Sequence, residues 1–261
     1  MKIAVVFTGL MRVFETAYAE QKKYLFNIPA EYDFFFHTWS ELGYYTGKGY
    51  LPEENGFVRL KDDDRGFHPG GPLVTEELIA KTYTHGTIRN IVIEDFDTMQ
   101  PEFDKRKLNF PNAFTRPKNT ISLFYKIMKG MDIFADYVGK SGTQYDMVIR
   151  LRPDLVPQGP VWSRPYNPNV MMVYPGGNKL GHGVSDNINI SNPNTVYQFS
   201  RAYEYLEEMY KLTGVSCPHL YFQVMGQSMN IPLELIHSPC TIAHSPHGPY
   251  QEPEGGMYIP K

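Results

Sequence analysis

Cysteine and long apolar runs are nearly missing from this sequence. Its 261 residues include only two cysteines, Cys217 and Cys240, which are too few for a disulfide scaffold. No apolar stretch reaches the roughly 18 residues that a membrane-spanning helix needs, and residues 1–7 are too short for the apolar segment of a signal peptide. The low cysteine content predicts a protein of a reducing compartment, the cytoplasm. The lack of long apolar runs predicts that the chain has no membrane-spanning segment.

An excess of charge of one sign is missing too, as are several familiar catalytic motifs. The chain has 25 Lys and Arg against 28 Asp and Glu, a formal net charge of −3, so bulk positive charge does not favour nucleic acid or a membrane surface. It contains no GxSxG, Walker A or HExxH motif. Hydrolase, NTPase and metalloprotease functions therefore lose their usual support.

What is present predicts a layered α/β domain. Hydrophobic residues make up 42% of the chain and aromatic residues 14%, enough for a substantial core. Apolar runs at 2–8 and 32–38, joined by a helical pattern at 13–24, predict a βαβ unit and hence a parallel sheet. Similar patterns predict strands at 88–96, 145–151, 170–174, 187–191 and 233–237, helices at 76–84, 120–138, 193–212 and 216–229, and irregular segments at 40–74, 97–118 and 238–261. This order indicates a three-layer α/β/α sandwich with a mostly parallel central sheet.

The most informative segment is residues 145–155, where an apolar strand runs into charged side chains. Arg150, Arg152 and Asp154 alternate along the chain and project from one face if the chain stays extended. Because isolated buried charge is strongly disfavoured, we expect these groups at a strand end, where open α/β sheets bind ligands. Arginine matches phosphate oxygens, and a carboxylate can hold Mg²⁺ or Mn²⁺. A structural ion pair is the alternative.

Two other strand ends are predicted to line the same crevice. Thr8, Gly9 and Arg12 follow the first strand, where backbone N–H groups at a helix N-terminus favour phosphate. His37 and Trp39 end the second strand, and the indole could stack on a sugar or a base. The alternatives are a glycine required by the turn beside a solvated arginine, and core packing of Trp39.

Two features of the C-terminal half complete the candidate site. The glycine-rich residues 176–186 could close over a substrate, with Asp186 as a base or a hydroxyl anchor; an ordinary surface loop with a capping aspartate is the alternative. The segment 237–247 carries three histidines and a cysteine at spacings wider than those of zinc sites. Within it, His244 is the candidate ligand for a substrate-bound metal.

Taken in order, these landmarks resemble a loosely defined family of glycosyltransferases that make surface polysaccharide in bacteria and viruses. The resemblance covers most of the chain, and it depends on the order and spacing of the motifs. The motifs are Gly9-Leu10-Met11-Arg12, His37-Thr38-Trp39, Tyr125-Lys126, the YDxVIRxRxD pattern of residues 145–154, Asp186-Asn187 and the helical residues 193–229.

The resemblance implies the GT-A class, a one-piece nucleotide-binding α/β sandwich that uses a nucleotide-sugar donor and a glycan or other hydroxyl acceptor. The hypothesis that follows is a cytoplasmic glycosyltransferase. Its catalytic residues are Asp154, on a metal or the donor sugar, and Asp186, at the acceptor hydroxyl. Its donor- and nucleotide-binding residues are Thr8, Gly9, Arg12, His37, Trp39, Arg150 and Arg152.

The same resemblance raises the question of a metal. GT-A enzymes commonly hold a divalent ion on an Asp-x-Asp motif, but Arg152 stands where the first acid would be. Two sources of positive charge are therefore open. One is Mn²⁺ or Mg²⁺ held by Asp154, with His244 as a further ligand, and the other is the arginines themselves.

One domain is expected over residues 1–261, with a nucleotide-binding half at about 1–155 and an acceptor-side half at about 156–261. Two other functions stay open. One is a non-catalytic carbohydrate-binding protein of the same fold, and the other is a metal-dependent phosphoesterase that uses Asp154, Asp186 and the C-terminal histidines.

Overall fold

The computed structural model describes residues 1–46, 50–53, 56–59, 66–68, 72–110, 117–175 and 183–242. The strands are β1 Lys2–Gly9, β2 Glu31–Trp39, β3 Tyr44–Thr46, β4 Tyr50–Glu53, β5 Gly56–Arg59, β6 Gly66–His68, β7 Thr87–Glu94, β8 Met147–Leu151, β9 Leu155–Pro157, β10 Met171–Val173, β11 Ile188–Ser191, β12 Leu233–Leu235 and β13 Cys240–Ile242. The helices are α1 Phe14–Tyr24, α2 Glu76–Thr82, α3 Phe96–Lys107, α4 Pro117–Ser141, α5 Pro193–Ser200, α6 Leu206–Thr213 and α7 Pro218–Ser228, and a 3₁₀ helix, Arg201–Tyr205, joins α5 to α6. Within these ranges, no helix has the length and apolar character needed to cross a membrane.

A seven-stranded sheet forms the middle layer, in the order β12-β10-β11-β8-β1-β2-β7. Its neighbouring strands are parallel, except that β11 runs antiparallel to both β10 and β8. The prediction of a mostly parallel central sheet is therefore confirmed.

Side chains of the sheet alternate between two apolar layers. In β1, Ile3, Val5 and Phe7 pack on the side of α1 and α2, whereas Ala4 and Val6 pack on the side of α3, α4, α5, α6 and α7. A parallel strand with helices on both faces is buried on both faces, which explains its continuous apolar sequence. The predicted three-layer α/β/α sandwich is confirmed.

Helix α4 is the longest element and packs directly on the sheet. The helix predicted at 120–138 is confirmed, and it extends beyond that range at both ends. Gly130 makes the close approach possible, because a Cβ at this position would collide with the methyl group of Thr8 on β1. Its predicted apolar stripe is buried at Ile121, Phe124, Met128, Met131 and Phe134 and half-buried at Ala135 and Val138.

Helix α3 corrects the prediction that residues 97–118 are irregular. The carboxylate of Asp95 accepts a hydrogen bond of 2.9 Å from the N–H of Asp97 and caps the helix. Phe103 anchors it in the core. The sequence conceals this helix because Pro101 and a surrounding run of charged residues interrupt the apolar pattern that normally indicates a helix.

The predicted helix over 193–212 is two α-helices separated by the 3₁₀ helix. Its predicted ends are confirmed. Asn192 accepts a hydrogen bond of 2.9 Å from the N–H of Thr195, Pro193 occupies the first turn, and Gly214 ends α6 with a φ of +71°.

Short strands also occur where irregular chain was predicted. Strands β3 and β6 pair, as do β4 and β5, within residues 40–74. Near the C-terminus, β13 pairs antiparallel with β9. Strands of three or four residues are too short to show an alternating pattern in sequence, and their partners decide whether they form.

Candidate active site

The central sheet has a topological switch point between β1 and β8. From β1 the chain builds outward through β2 and β7 on one side, and it then crosses to β8 on the other side. These four strands are parallel, so their carboxyl ends share one edge. In open α/β sheets, ligands bind in the crevice outside the carboxyl ends at such a point. The residues after β1 and β8 are therefore candidates for a binding site.

The antiparallel strand β11 brings a third segment to this edge. Its first residue, Ile188, pairs with Leu151, the last residue of β8. The N–H of Arg152 donates to the carbonyl of Asn187 at 2.9 Å. Because β11 runs opposite to its neighbours, Asp186 lies beside the carboxyl end of β8. A parallel strand would place Asp186 at the opposite edge of the sheet.

Five charged side chains converge here, and we refer to Arg12, Arg150, Arg152, Asp154 and Asp186 as the arginine cluster. Arg152 donates Nε and Nη2 to the two oxygens of Asp154, each at 3.0 Å. Its Nη1 donates to Oδ2 of Asp186 at 3.3 Å. Arg12 also donates to Oδ2 of Asp154. Arg152 thus joins the two carboxylates, and Asp154 joins two guanidiniums.

The chain turns directly after β8, which corrects the expectation of an extended segment with charges on one face. The N–H of Leu155 donates to the carbonyl of Arg152 at 3.2 Å. Gln21 of α1 fixes the turn by donating to the carbonyls of Pro153 at 3.0 Å and Leu155 at 2.8 Å. The turn folds Arg152 back onto Asp154 as a two-pronged pair.

Both carboxylates of the cluster are held in the ionised form. Burial would raise the pKa of Asp154, but Arg12 and Arg152 outweigh it and hold the pKa below its ordinary value. Burial would also raise the pKa of Asp186, but the hydrogen bond with His219 and the charge of Arg152 hold this pKa well below its usual range. Both groups are negative at neutral pH and are weak proton acceptors.

Arg150 is a buried guanidinium that makes no ion pair with a carboxylate in the described ranges. Its Nε donates to Oγ1 of Thr8 at 2.8 Å, its Nη1 donates to the backbone carbonyl of Asp186, and its Nη2 has no hydrogen-bond partner there. Burial lowers the pKa of Arg150 to about 9, so it remains a cation at neutral pH. Among the residues that the structure describes, three guanidiniums then face two carboxylates, and this excess of positive charge favours an anionic ligand.

His219 joins the cluster through Asp186. It lies in the first turn of α7, and its Nε2 is 3.1 Å from Oδ1 of Asp186. Gly183, with a φ of +112°, permits this approach, since a Cβ there would be 2.8 Å from the His219 carbonyl. Burial lowers the pKa of His219, but its hydrogen bond with Asp186 outweighs burial and raises the pKa above 6.5. The sequence signals this residue only by its place beside Pro218 at a helix start, and no role was predicted for it.

The first βα turn mainly supports the cluster. Thr8 is buried beneath Arg150. Arg12 is also buried and turned toward Asp154, which corrects the alternative of a solvated arginine. Gly9 has a φ of +113°, and no described atom lies within 4 Å of the position that a Cβ would take there. Of the three predicted residues of this turn, Gly9 is the one where a ligand can approach the backbone.

His37 and Trp39 lie in a second buried cluster at the ends of β2 and β7, next to the arginine cluster, since His37 pairs in register with Thr8, which contacts Arg150. The Nζ of Lys126 is 3.5 Å from the ring centroid of Trp39 and donates to Glu94 at 2.8 Å. Burial, together with the positive charges of Lys126 and Lys129, lowers the pKa of His37 to about 2. Because Lys126 covers the indole, the geometry favours the packing alternative for Trp39 over stacking on a sugar.

Asp154 does not fit the predicted role of metal ligand. Both of its oxygens accept hydrogen bonds from guanidiniums, and Arg12 and Arg152 would repel a divalent cation placed beside them. A group of three or more His, Cys, Asp or Glu side chains suited to a metal is absent from the part of the chain that the structure describes. His244 and residues 176–182 of the predicted lid lie outside the described residues.

No family model matches this chain, and no curated protein matches it significantly. Among solved structures, it is similar to the apo form of mouse xyloside xylosyltransferase 1, with a TM-score of 0.41 and 9% sequence identity. The match covers 90% of this chain and 83% of that chain. A likeness of this degree carries no inference about activity.

Proposed function

We propose that this protein is a glycosyltransferase that moves a sugar from a nucleotide-sugar donor to a hydroxyl acceptor. The observation that carries the proposal is the arginine cluster, which places three guanidiniums and two carboxylates at the switch point of a parallel sheet. A departing nucleoside diphosphate gains negative charge as the sugar is transferred, and preorganised positive groups stabilise that charge. The cluster has the sign and the location that suit this task.

Arg150 and Arg152 are proposed to supply the positive charge for the diphosphate. The Arg152 side chain is 13% exposed and is the group that would contact the phosphate oxygens. Arg12 and Arg150 are both buried. Arg150 therefore contributes its charge from beneath the site, and Arg12 holds Asp154, which in turn holds Arg152. Asp154 is a positioning residue on this proposal.

Gly9 and the N-terminus of α1 supply uncharged donors beside the cluster. Val13, the residue before α1, makes no side-chain capping hydrogen bond, and we propose that the first N–H groups of the helix bind the anion instead. Gly9 leaves room for a phosphate to approach the backbone. Thr8 contributes indirectly, since it holds Arg150.

The proposal assigns neutralisation of the diphosphate to arginine, and no step passes through Mn²⁺ or Mg²⁺. A guanidinium binds phosphate oxygens through two parallel hydrogen bonds, so the cluster can serve without a metal. The occupied oxygens of Asp154 are the reason for this choice.

The acceptor is proposed to enter beside Asp186. On this arrangement, residues of about 1–155 form the donor side and residues of about 156–261 the acceptor side. The motif resemblance points to a growing surface polysaccharide as the acceptor, and a cytoplasmic location remains a prediction from the cysteine content.

Thermal unfolding with UDP, GDP, ADP and their sugar conjugates, with EDTA or with Mn²⁺, tests the proposal. A ligand that binds only the folded protein at about 100 times its Kd adds about 2.7 kcal/mol of stability. For a chain of this size, that corresponds to a rise of roughly 5–10 °C in the melting midpoint. We expect one nucleotide family to produce such a rise in EDTA.

In the Arg152→Gln variant, the nucleotide should no longer raise the melting midpoint above that of the same variant without ligand. Arg164→Gln, at a side chain that is 65% exposed, is the matched control and should keep it. If no nucleotide or nucleotide sugar raises the midpoint, the transferase proposal fails and a non-catalytic binding protein is favoured. A rise that requires Mn²⁺ would contradict the metal-free assignment.

A further inference from the structure

We propose that His219, oriented by Asp186, is the base that takes the proton from the acceptor hydroxyl. This inference rests on the proposed transferase function and moves the base from Asp186 to its neighbour. It depends on the geometry of three side chains at the edge of the sheet, Arg152, Asp186 and His219.

Asp186 is fully engaged by its neighbours. Its Oδ1 is 3.1 Å from Nε2 of His219, and its Oδ2 is 3.3 Å from Nη1 of Arg152. Its side chain is only 9% exposed. A carboxylate with both oxygens occupied, and with its pKa held low, has little tendency to accept a further proton.

His219 has the accessibility and the free nitrogen that Asp186 lacks. Its side chain is 26% exposed. In the neutral ring, Nε2 carries the hydrogen that it donates to Asp186, so the lone pair lies on Nδ1. Nδ1 makes no hydrogen bond with any residue that the structure describes. A carboxylate that fixes the tautomer and stabilises the imidazolium is the arrangement that makes histidine an effective base.

The base and the proposed diphosphate site are connected by Arg152. This side chain contacts Asp154 on one side and Asp186 on the other. An acceptor at His219 therefore lies beside the guanidiniums that would hold the departing group. Proton removal and charge stabilisation occur within one contiguous set of side chains.

In the proposed step, the acceptor O–H proton moves to Nδ1 of His219. The acceptor oxygen forms a bond to the anomeric carbon while the bond from that carbon to the phosphate oxygen breaks. The electron pair of the broken bond leaves on the nucleoside diphosphate. A single displacement of this kind inverts the anomeric centre.

The charged groups that face His219 determine its pH dependence. Asp186, before β11, favours the imidazolium, whereas Arg152, after β8, opposes it. The transfer rate should therefore fall as the pH falls through a pKa that lies above 6.5. The Asp186→Asn variant should move this acidic limb to lower pH, because the carboxylate no longer stabilises the imidazolium.

The test measures release of nucleoside diphosphate from UDP-glucose, UDP-galactose, UDP-N-acetylglucosamine and GDP-mannose, with water or simple sugars as acceptors, over about pH 5 to 9. His219→Gln should lower the rate by about 10²–10⁴-fold and abolish the acidic limb. It should retain the rise in melting midpoint that UDP or GDP produces. His237→Gln, an exposed histidine after β12, is the matched control and should behave as wild type.

The outcomes separate this inference from the proposed function. If no nucleotide raises the wild-type midpoint, both fail. If nucleotides bind but wild type releases no diphosphate, the transferase function and the assignment of His219 both fail, and a binding protein is favoured. If wild type is active but His219→Gln keeps its rate and its acidic limb, only the assignment of His219 fails. If His219→Gln does not fold, the pH–rate profile of Asp186→Asn is the test. An acidic limb that moves to lower pH supports the assignment of His219, and an acidic limb that does not move overturns it.

Discussion

Asp154→Asn tests whether one carboxylate holds the arginine cluster together. Asp154 is 1% exposed and pairs with both Arg12 and Arg152. The substitution keeps the shape of the side chain but removes the negative charge that the two guanidiniums share. We therefore expect a loss of stability, in addition to any loss of activity.

The size of this loss follows from the contacts. At 3.0 Å and an effective dielectric constant of about 20, one charge pair contributes roughly 5–6 kcal/mol of attraction. Desolvation opposes this attraction when the pair forms, and its cost remains after one partner loses its charge. Breaking a buried pair consequently costs about 3–5 kcal/mol, a large part of the about 5–15 kcal/mol that stabilises a typical protein.

Urea unfolding at neutral pH measures the difference in the free energy of unfolding. Asp136→Asn, at an exposed carboxylate of α4, is the matched control and should change stability by less than about 0.5 kcal/mol. The pKa of Asp154 is lower in the folded state than in the unfolded state. The ionised side chain therefore contributes fully to the free energy of unfolding at a pH above the ordinary aspartate pKa. That contribution is lost as the pH falls through the folded value.

The difference between wild type and Asp154→Asn should therefore narrow in acid. A loss below about 1 kcal/mol at neutral pH would contradict the argument that Asp154 is shared by two guanidiniums. A difference that stays constant on acidification would contradict the lowered pKa.

Two further predictions concern α4. Burial lowers the pKa of Lys126 from 10.5 to about 7, so the unfolded chain binds more protons between these values and wild-type stability should rise from about pH 7 to about pH 9. Urea unfolding of Lys126→Met should lack this rise, and an identical rise in both proteins would refute the assignment. Gly130→Ala should cost about 1–3 kcal/mol because the new methyl group meets Thr8, whereas Gly139→Ala, with nothing within 4 Å, should add about 0.5–1 kcal/mol. Equal effects in urea would contradict the close packing at Gly130.

The strands and helices of the main layers could be predicted because each one shows a clear hydrophobic pattern in its own sequence. Strand β1 is apolar along nearly its whole length, and α4 has one continuous apolar stripe. Helix α3 could not be predicted, since Pro101 interrupts its pattern and little of its surface is buried. Strands β9 and β13 are too short to be recognised in the sequence, and each is stabilised by its pairing with the other.

The sequence singled out the five side chains of the arginine cluster as candidates, but it did not reveal how they pair. Arg12 and Asp154 are 142 positions apart in the chain, and Asp186 reaches them only because β11 reverses direction. His219 meets Asp186 across 33 positions, and the spacing does not reveal this contact. Trp39 is at a strand end as predicted, but the lysine that covers it comes from a distant helix.

The pairing of β1 with β8 also affects how the protein is made. A ribosome that adds about 5–20 residues per second needs roughly 7–30 s to synthesise the 142 positions from Arg12 to Asp154. During this interval β1 has been made but β8 has not, so the backbone N–H and C=O groups along one edge of β1 lack their native partners. Open strand edges pair with other chains. Until β8 has been synthesised, this edge of β1 is therefore open to pairing with other chains.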